Sequence, residues 1–531
     1  AGLGVPRIRF IGTTLQTFTV HPNVWIGTTT LDGETNAISF WRIEWGAQVK
    51  ITPGSGIAIH HNGYSLTVDG TLIADDGAEL VATKTGGAAG NTVLNMGESG
   101  IIKVADPQGL GDGTVLDPVS NFPLFIRRTS PGSPTPTGWD LTSINTNGTI
   151  EYNYNGIGTQ AVTARPYNVL VINNTSGAAV QNPPPPFFLF NNPNIVEGNI
   201  TANSVELWRG VFILTPVGSG GTFAHTFGTL SIGSATSLTT FPTSSNTVLV
   251  LNNRPSSTVT LTVTGNVSGA TSATGGVGLV MGGIDCNNAC NTTLTVNGNF
   301  TFSVPLYLAG NLSVNLPGGS GTNILQFGGD VTLANTCRFS GDSFGVGADP
   351  TIRLTGASAT FTVPSVVWLG TSGETNILAK WEIPSGASIT LPNGSSIACS
   401  NNRNFLLNGT LIAQDGAEMI ATLTGPSPIA TSNLIMGSNG IIRVADPDGL
   451  GNGDQLNPTS NFPLFIRRTS PSSSDPQNWN LTSINTAGTI DYNGTALQTI
   501  TARNGSAPYP QYHRLTISGG NKTLESTNGS V

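Results

Sequence analysis

NFPLFIRRTSP runs from Asn121 to Pro131 and again, letter for letter, from Asn461 to Pro471. The two copies sit inside a longer duplication. GTLIADDGAELVAT from Gly70 matches GTLIAQDGAEMIAT from Gly409, GIIKVADPQGLGDG from Gly100 matches GIIRVADPDGLGNG from Gly440, and LTSINTNGTIEYN from Leu141 matches LTSINTAGTIDYN from Leu481. Upstream, GETN at Gly33 and Gly373, and IRF at Ile8 against IRL at Ile352, extend the match. One period of roughly 340 residues therefore runs from about residue 7 to about 350, and a second starts near 351 and is roughly half complete at Val531. A fold that accommodates such a chain has to repeat with it.

The repeating text consists of short alternating runs such as VKITPG, SLTV, TLIA, ELVA, TLTVNGNFTFSV and ASITLPNG, each broken by Gly, Pro or Asn. Alternation at period two marks half-buried strands, and helical periodicity is nearly absent. A Gly or Asn-Gly followed by three to five strand residues recurs. Marks such as Gly298, Gly310 and Gly329 are unevenly spaced, but on the order of one solenoid coil. A sandwich of hairpins would alternate equally well, yet it accounts less readily for so many strands without a domain break. The expected fold is all-β, a parallel β-helix (β-solenoid). Residues 1–180 form its first copy, 181–195 a proline-rich loop or junction, 196–350 a Gly/Thr/Asn-rich solenoid segment and 351–531 the incomplete second copy. In QNPPPPFFLFNNP, from Gln181 to Pro193, four prolines remove backbone donors, so no central strand is expected there. Phe187, Phe188 and Phe190 would anchor that segment on a neighbouring chain if it is more than a loop.

Only 9% of the residues are charged, 37% are apolar and the net charge is −8. Disordered chains of low hydrophobicity carry high net charge, so this one is expected to fold. Mild acidity argues against nucleic acid, which is bound through clustered Lys and Arg. No apolar run is long enough for a transmembrane helix. Ala1 does not open a charged-then-apolar leader, and any export signal is expected to have been removed or to lie outside this stretch.

Arg128 and Arg468, from the repeated motif, are expected to continue the core-facing row Phe122, Leu124, Ile126, with Phe125 and Arg127 on the other side. A buried guanidinium needs a carboxylate or carbonyls. Acids present in both copies are Glu34/Glu374, Glu44/Glu382, Asp76/Asp415, Glu79/Glu418, Asp106/Asp446 and Glu151/Asp491. An internal ion pair is the structural reading; a surface site for an acidic glycan or partner chain is the functional one. Cys286 and Cys290, in DCNNAC, are placed to close a small disulfide loop, which would suit an oxidising exterior; a thiol pair or a metal site are the alternatives. Cys337 and Cys399 are expected several coils apart, too far to bond, and Cys399 aligns with His60.

Asp446, Asp448, Asn452, Asp454 and Asn457 surround flexible glycines with hard oxygen ligands suited to Ca²⁺, and the run resembles the Asp-rich loops of thrombospondin-type and dockerin-type repeats. The first copy has Gln108 and Thr114 at two of these places, and a Gly-rich turn with Asx caps is the plain alternative. No catalytic set emerges. Acids stand singly beside turn glycines, Asp75 aligns with Gln414, and the five histidines form no HExxH.

GTIDYNGTALQTITA followed by YHRLTISGGNKTL (Gly488 to Leu524), and its looser copy from Gly148 to Gly177, resemble the long secreted β-solenoid proteins of Bacteroidetes, including surface adhesins exported by the type IX system. The likeness covers roughly a tenth to a fifth of the chain. It implies export, an outer-surface or released location, and a structural or adhesive role. The function expected first is thus an extracellular, non-enzymatic repeat protein that forms a rod or filament, by end-to-end self-association or by continuation in a longer chain. A glycan-binding stalk is the second reading, with Trp25/Trp368, Trp41/Trp381 and Trp139/Trp479 stacking on surface sugars rather than serving the core. A β-helix polysaccharide lyase or hydrolase is the third.

Overall fold

A computed structural model describes residues 7–26, 40–60, 64–84, 90–131, 135–156, 158–174, 193–216, 220–233, 247–252, 254, 256–269, 277–282, 290–303, 306–311, 321–340, 350–369, 379–400, 403–423, 431–470, 475–502 and 512–525. Its strands pair in parallel, coil upon coil, as a β-solenoid. Two compact units are present, the first holding most of residues 1–248 and the second most of 249–531. No helix among the described residues is long and apolar enough to cross a membrane. The proline-rich stretch lies outside the described residues up to Asn192.

A regular coil has three short strands. In the first unit Phe40–Ile43, Gln48–Ile51 and Gly56–His60 make one coil, and Ser65–Val68, Thr71–Ala74 and Glu79–Thr83 lie directly on it, residue on residue. The corner between the first two strands is closed by Ala47 N donating to Glu44 O (2.9 Å), with Gly46 at φ +77°. Glycine takes that backbone without a Cβ penalty.

Alternation puts every second side chain inside, and parallel register stacks like on like. Val49, Leu72, Ile102, Ile150, Leu170, Val205 and Leu230 form one such ladder, all buried. In the second unit the ladder Leu261, Leu294, Leu325, Ile352, Trp381, Phe405, Leu434 does the same. Each buried aliphatic side chain contributes roughly 1.5–3 kcal/mol, which outweighs the scarcity of ionic contacts.

The uneven glycine marks have a geometric cause. Gly298 and Gly329 occupy the same corner of successive coils, whereas Gly310 belongs to a strand on another side, Leu306–Asn311. At the shared corner Asn266 Oδ1 accepts from Asn299 N (2.9 Å), Asn299 Oδ1 from Asp330 N (3.1 Å), and Asp330 Oδ1 from Thr360 N (2.7 Å). The Asn or Asp after each glycine therefore ties its coil to the next.

The third sheet departs from simple alternation. Gly56–His60 and Glu79–Thr83 are buried at every residue. Ala58, Val81 and Ile126 form a buried cluster with Ile26, against which Trp25 and Phe122 pack. The expected split of FPLFIRR into a core row and a solvent row is thus corrected: the strand Phe125–Arg127 buries Phe125 and Ile126 alike, because a short helix, Asn23–Ile26, roofs the sheet.

Register also corrects two alignments. Arg353 pairs with Glu382 where Arg9 pairs with Arg42, so Glu382 corresponds to Arg42 and not to Glu44. Cys399 lies on Ala421 as Ile59 lies on Ala82, so Ser400, not Cys399, is the counterpart of His60.

Candidate functional site

In one coil of each copy the chain leaves the strand Ile101–Val104, or Ile441–Val444, and returns only at Phe125–Arg127, or Phe465–Arg467. This excursion gathers most of the chemistry-bearing residues of the repeat.

NFPLFIRRTSP is the strap that closes it. Asn121 and Asn461 adopt left-handed backbone, φ +49° and +50°. Arg127 holds two loop carbonyls, Thr114 O through Nε (2.6 Å) and Pro136 O through Nη1 (2.8 Å). Arg467 does the same with Asp454 O and Pro476 O. Arg128 forks onto Glu79 of the preceding coil (Nε–Oε2 2.7 Å, Nη2–Oε1 2.8 Å) and donates to Pro118 O (3.1 Å). Arg468 repeats this with Glu418 (2.8 and 2.5 Å) and Pro458 O. Phe122 and Phe462 lie against these guanidinium groups, 5.7 and 5.6 Å from ring centre to Cζ. Ser130 Oγ donates to Ile26 O (3.0 Å), and Ser470 Oγ to Leu369 O (3.3 Å), fastening the strap to the roofing helix.

The residues expected to bind calcium are distributed along the same excursion. Asp446 is buried and accepts from Asp448 N (2.8 Å) and Gly416 N (3.2 Å). Asn452 and Asp454 bond each other (3.0 Å), while Asn457 engages Thr469 through both side-chain atoms. The contacts of Asp446 with Asp448 N and of Asn452 with Asp454 N are Asx caps on turns, and Asn457 ties the loop to the strap. Among the described residues no three His, Cys, Asp or Glu side chains are grouped to hold a metal ion. Asp117 stands where Asn457 does and serves the same threonine, accepting from Thr129 N and Oγ1; a threonine hydroxyl can donate to Asp or accept from Asn, so either residue fits.

Burial pushes the Asp106 and Asp446 carboxyls up to about 6, against the opposing effect of their backbone donors. Asp106 accepts from Gln108 N (2.7 Å) and Gly77 N (3.3 Å). Asp76 is also raised by burial, and its charge adds to the rise at Asp106. Burial raises Tyr154 too, helped by Asp76 and Asp106, but the second copy has Gly494 at that place.

Behind the excursion lies a polar network that composition does not announce. Tyr152 and Tyr167 bond through their hydroxyls (2.9 Å) and clasp Thr163 N and O; Tyr492, Tyr512 and Thr501 repeat the arrangement. Gln160 and Gln498 donate to the carbonyls that open the excursion, Val104 and Asp106, or Val444 and Asp446. The available signal was the shared wording EYN/DYN followed by Q-x-V/I-T-A.

The paired tryptophans lie inside. Trp41, Trp368 and Trp381 are fully buried, Trp139 and Trp479 nearly so, and Trp25 is half-buried. The indole with an open face is Trp45, exposed at 78% and without a tryptophan counterpart in the second copy. Cys290 is disulfide-bonded, its expected partner Cys286 lies outside the described residues, and Cys337 and Cys399 are buried free thiols. No family model, no curated protein and no solved structure matches the chain.

Proposed function

We propose that this chain is an extracellular structural repeat protein, a β-solenoid segment of a rod or filament that serves surface scaffolding or adhesion. The observation that carries the reading is the use of the residues present in both copies. Arg128/Arg468 with Glu79/Glu418 and Asp106/Asp446 join one coil to its neighbour, while Arg127/Arg467 and Ser130/Ser470 close the strap. Duplication has repeated an architecture, and the repeated acids Glu79/Glu418 and Asp106/Asp446 are engaged in holding it. The resemblance to secreted Bacteroidetes solenoids supports export and a surface location. The glycan-binding reading loses support because Trp41, Trp139, Trp368, Trp381 and Trp479 are core residues.

The test is electron microscopy and surface fractionation of the protein from its native source, with activity assays on uronate and neutral polysaccharides. Rods or filaments in the surface or released fraction, without release of reducing or unsaturated ends, are expected. An intracellular location or polysaccharide cleavage would overturn the reading.

A further inference from the structure

Each open end of one copy has a covered counterpart in the other. At the start of the first copy the coil of Arg7–Phe10, Leu15–Phe18 and Asn23–Ile26 leaves Val24 exposed at 67%, where its counterpart Val367 is buried, with Phe10, Phe18 and Trp25 half-buried. Its counterpart is Thr351–Leu354, Ala359–Thr362 and Val366–Leu369. The aromatic geometry is the same in both. Phe18 stacks on Trp25 at 6.4 Å as Phe361 does on Trp368 at 6.2 Å, and Trp25 meets Trp41 edge-on at 5.1 Å as Trp368 meets Trp381 at 5.2 Å. Burial differs: Leu354, Phe361 and Trp368 are covered, because Asn323–Phe327 and Val331–Leu333 lie on them with Phe327 on Leu354 and Val331 on Phe361.

The other end repeats the contrast. Leu515, Ile517 and Leu524 are exposed at 38%, 56% and 77%. Register on the preceding coil makes them the counterparts of Leu170, Ile172 and Val196, which are buried. The cover there is the strand Thr201–Ile213, which sets Val205 on Leu170, Leu207 on Ile172 and Phe212 on Asn194.

We infer that both ends are docking faces for one kind of occupant, the intervening segment of a further repeat. The first coil takes a coil of the type Asn323–Leu333, and the last takes a strand of the type Thr201–Ile213. This deepens the scaffolding reading and rests on it for its biological sense. A second copy of the chain docked head to tail is the wrong partner. It would set the end of one copy, Leu515–Leu524, against the start of another, Arg7–Phe18, a junction found nowhere among the described coils.

The register also gives the graft point. Glu525 N donates to Ile500 O as Glu197 N donates to Val162 O, so Glu525 corresponds to Glu197. In the test, residues 198–350 of this chain are placed directly after Glu525 of the full chain, and a control carries residues 7–60 there instead. Amide exchange is followed at Leu515, Ile517 and Leu524, with sedimentation of the ungrafted chain over rising concentration. The first graft is expected to slow exchange at these amides about tenfold or more, the control to leave it unchanged, and the ungrafted chain to remain monomeric. Equal protection by the control, no protection by the first graft, or end-to-end association of the ungrafted chain would overturn the inference. These readouts concern the end faces alone, so a failed surface location would sink the functional reading and leave the docking rule standing.

Discussion

Arg128 and Arg468 show what an arginine pair does in a chain that is only 9% charged. Each joins its excursion to the coil beneath through a bidentate contact with a mostly buried glutamate, Glu79 or Glu418. Removing one partner leaves the other charge desolvated and alone. Glu79→Gln is expected to destabilise the first unit by about 3 kcal/mol in chemical denaturation, and Arg128→Lys by less, since an ammonium keeps the charge but loses the fork. An unchanged midpoint for Glu79→Gln would mean the pair is dispensable. The buried aspartates act in the opposite sense. Asp106 and Asp446 have folded values near 6, above the usual carboxylate value of 3.8, so the folded state holds protons that the unfolded state has released. Their contribution is complete below about pH 4 and is lost as pH rises through 6, about 3 kcal/mol at each site at most. Asp106→Asn with Asp446→Asn should flatten the pH 4–6 part of the stability curve, measured by denaturation at each pH. The double variant is also expected to be less stable at pH 4, because an amide nitrogen cannot accept from Gly77 N or Gly416 N. Sequence alone narrowed the arginines' partner to six acid pairs; choosing Glu79 required the register that lays one coil on the next.

At the scale of the element, the strands were legible because alternation survives in TLIA, ELVA and TLTV, and their parallel stacking was legible from the duplication. The covered outer face of the third sheet was not, since its roof, Asn23–Ile26, takes the place of a third strand in the first coil and NVWI carries no helical period. The same limit applies to the excursion. DPDGLGNGDQLN reads as a calcium loop when its oxygens are considered singly, yet Asp446, Asn452, Asp454 and Asn457 are engaged with neighbouring N–H, amide or hydroxyl groups by turns that only the closed strap defines. Gly111 and Gly451 show how tightly it closes. They sit at φ +76° and +74°, and a Cβ at either would come 2.6 Å from the ring of Pro123 or Pro463, the first proline of the repeated motif. Gly451→Ala is expected to lose roughly 1–3 kcal/mol from left-handed backbone strain together with the clash, and to raise protease cleavage between Asp446 and Arg467. Wild-type protease resistance in that variant would show that the strap tolerates opening.

For the whole molecule, stacked coils imply that stability is a sum of nearest-neighbour terms, with each coil held by the one on either side. An internal coil such as Lys380–Ile383, with Trp381 between Ile352 and Phe405, then has two interfaces to lose. Trp381→Ala removes a fully buried indole that also donates to Ala398 O (2.9 Å). A loss of about 3–5 kcal/mol is expected from the cavity and the missing ring contacts. In a globule with one core the loss would reach every amide. Here the increase in hydrogen exchange should centre on the coils carrying Ile352, Trp381 and Phe405 and fade towards Ile490. The ladder Val49, Leu72, Ile102 in the other compact unit should keep its wild-type rates. Uniform acceleration across both units would show a single cooperative fold and would remove the physical basis for reading the ends as independent docking faces, because a face can accept a further coil without reorganising the rest only where stability is local.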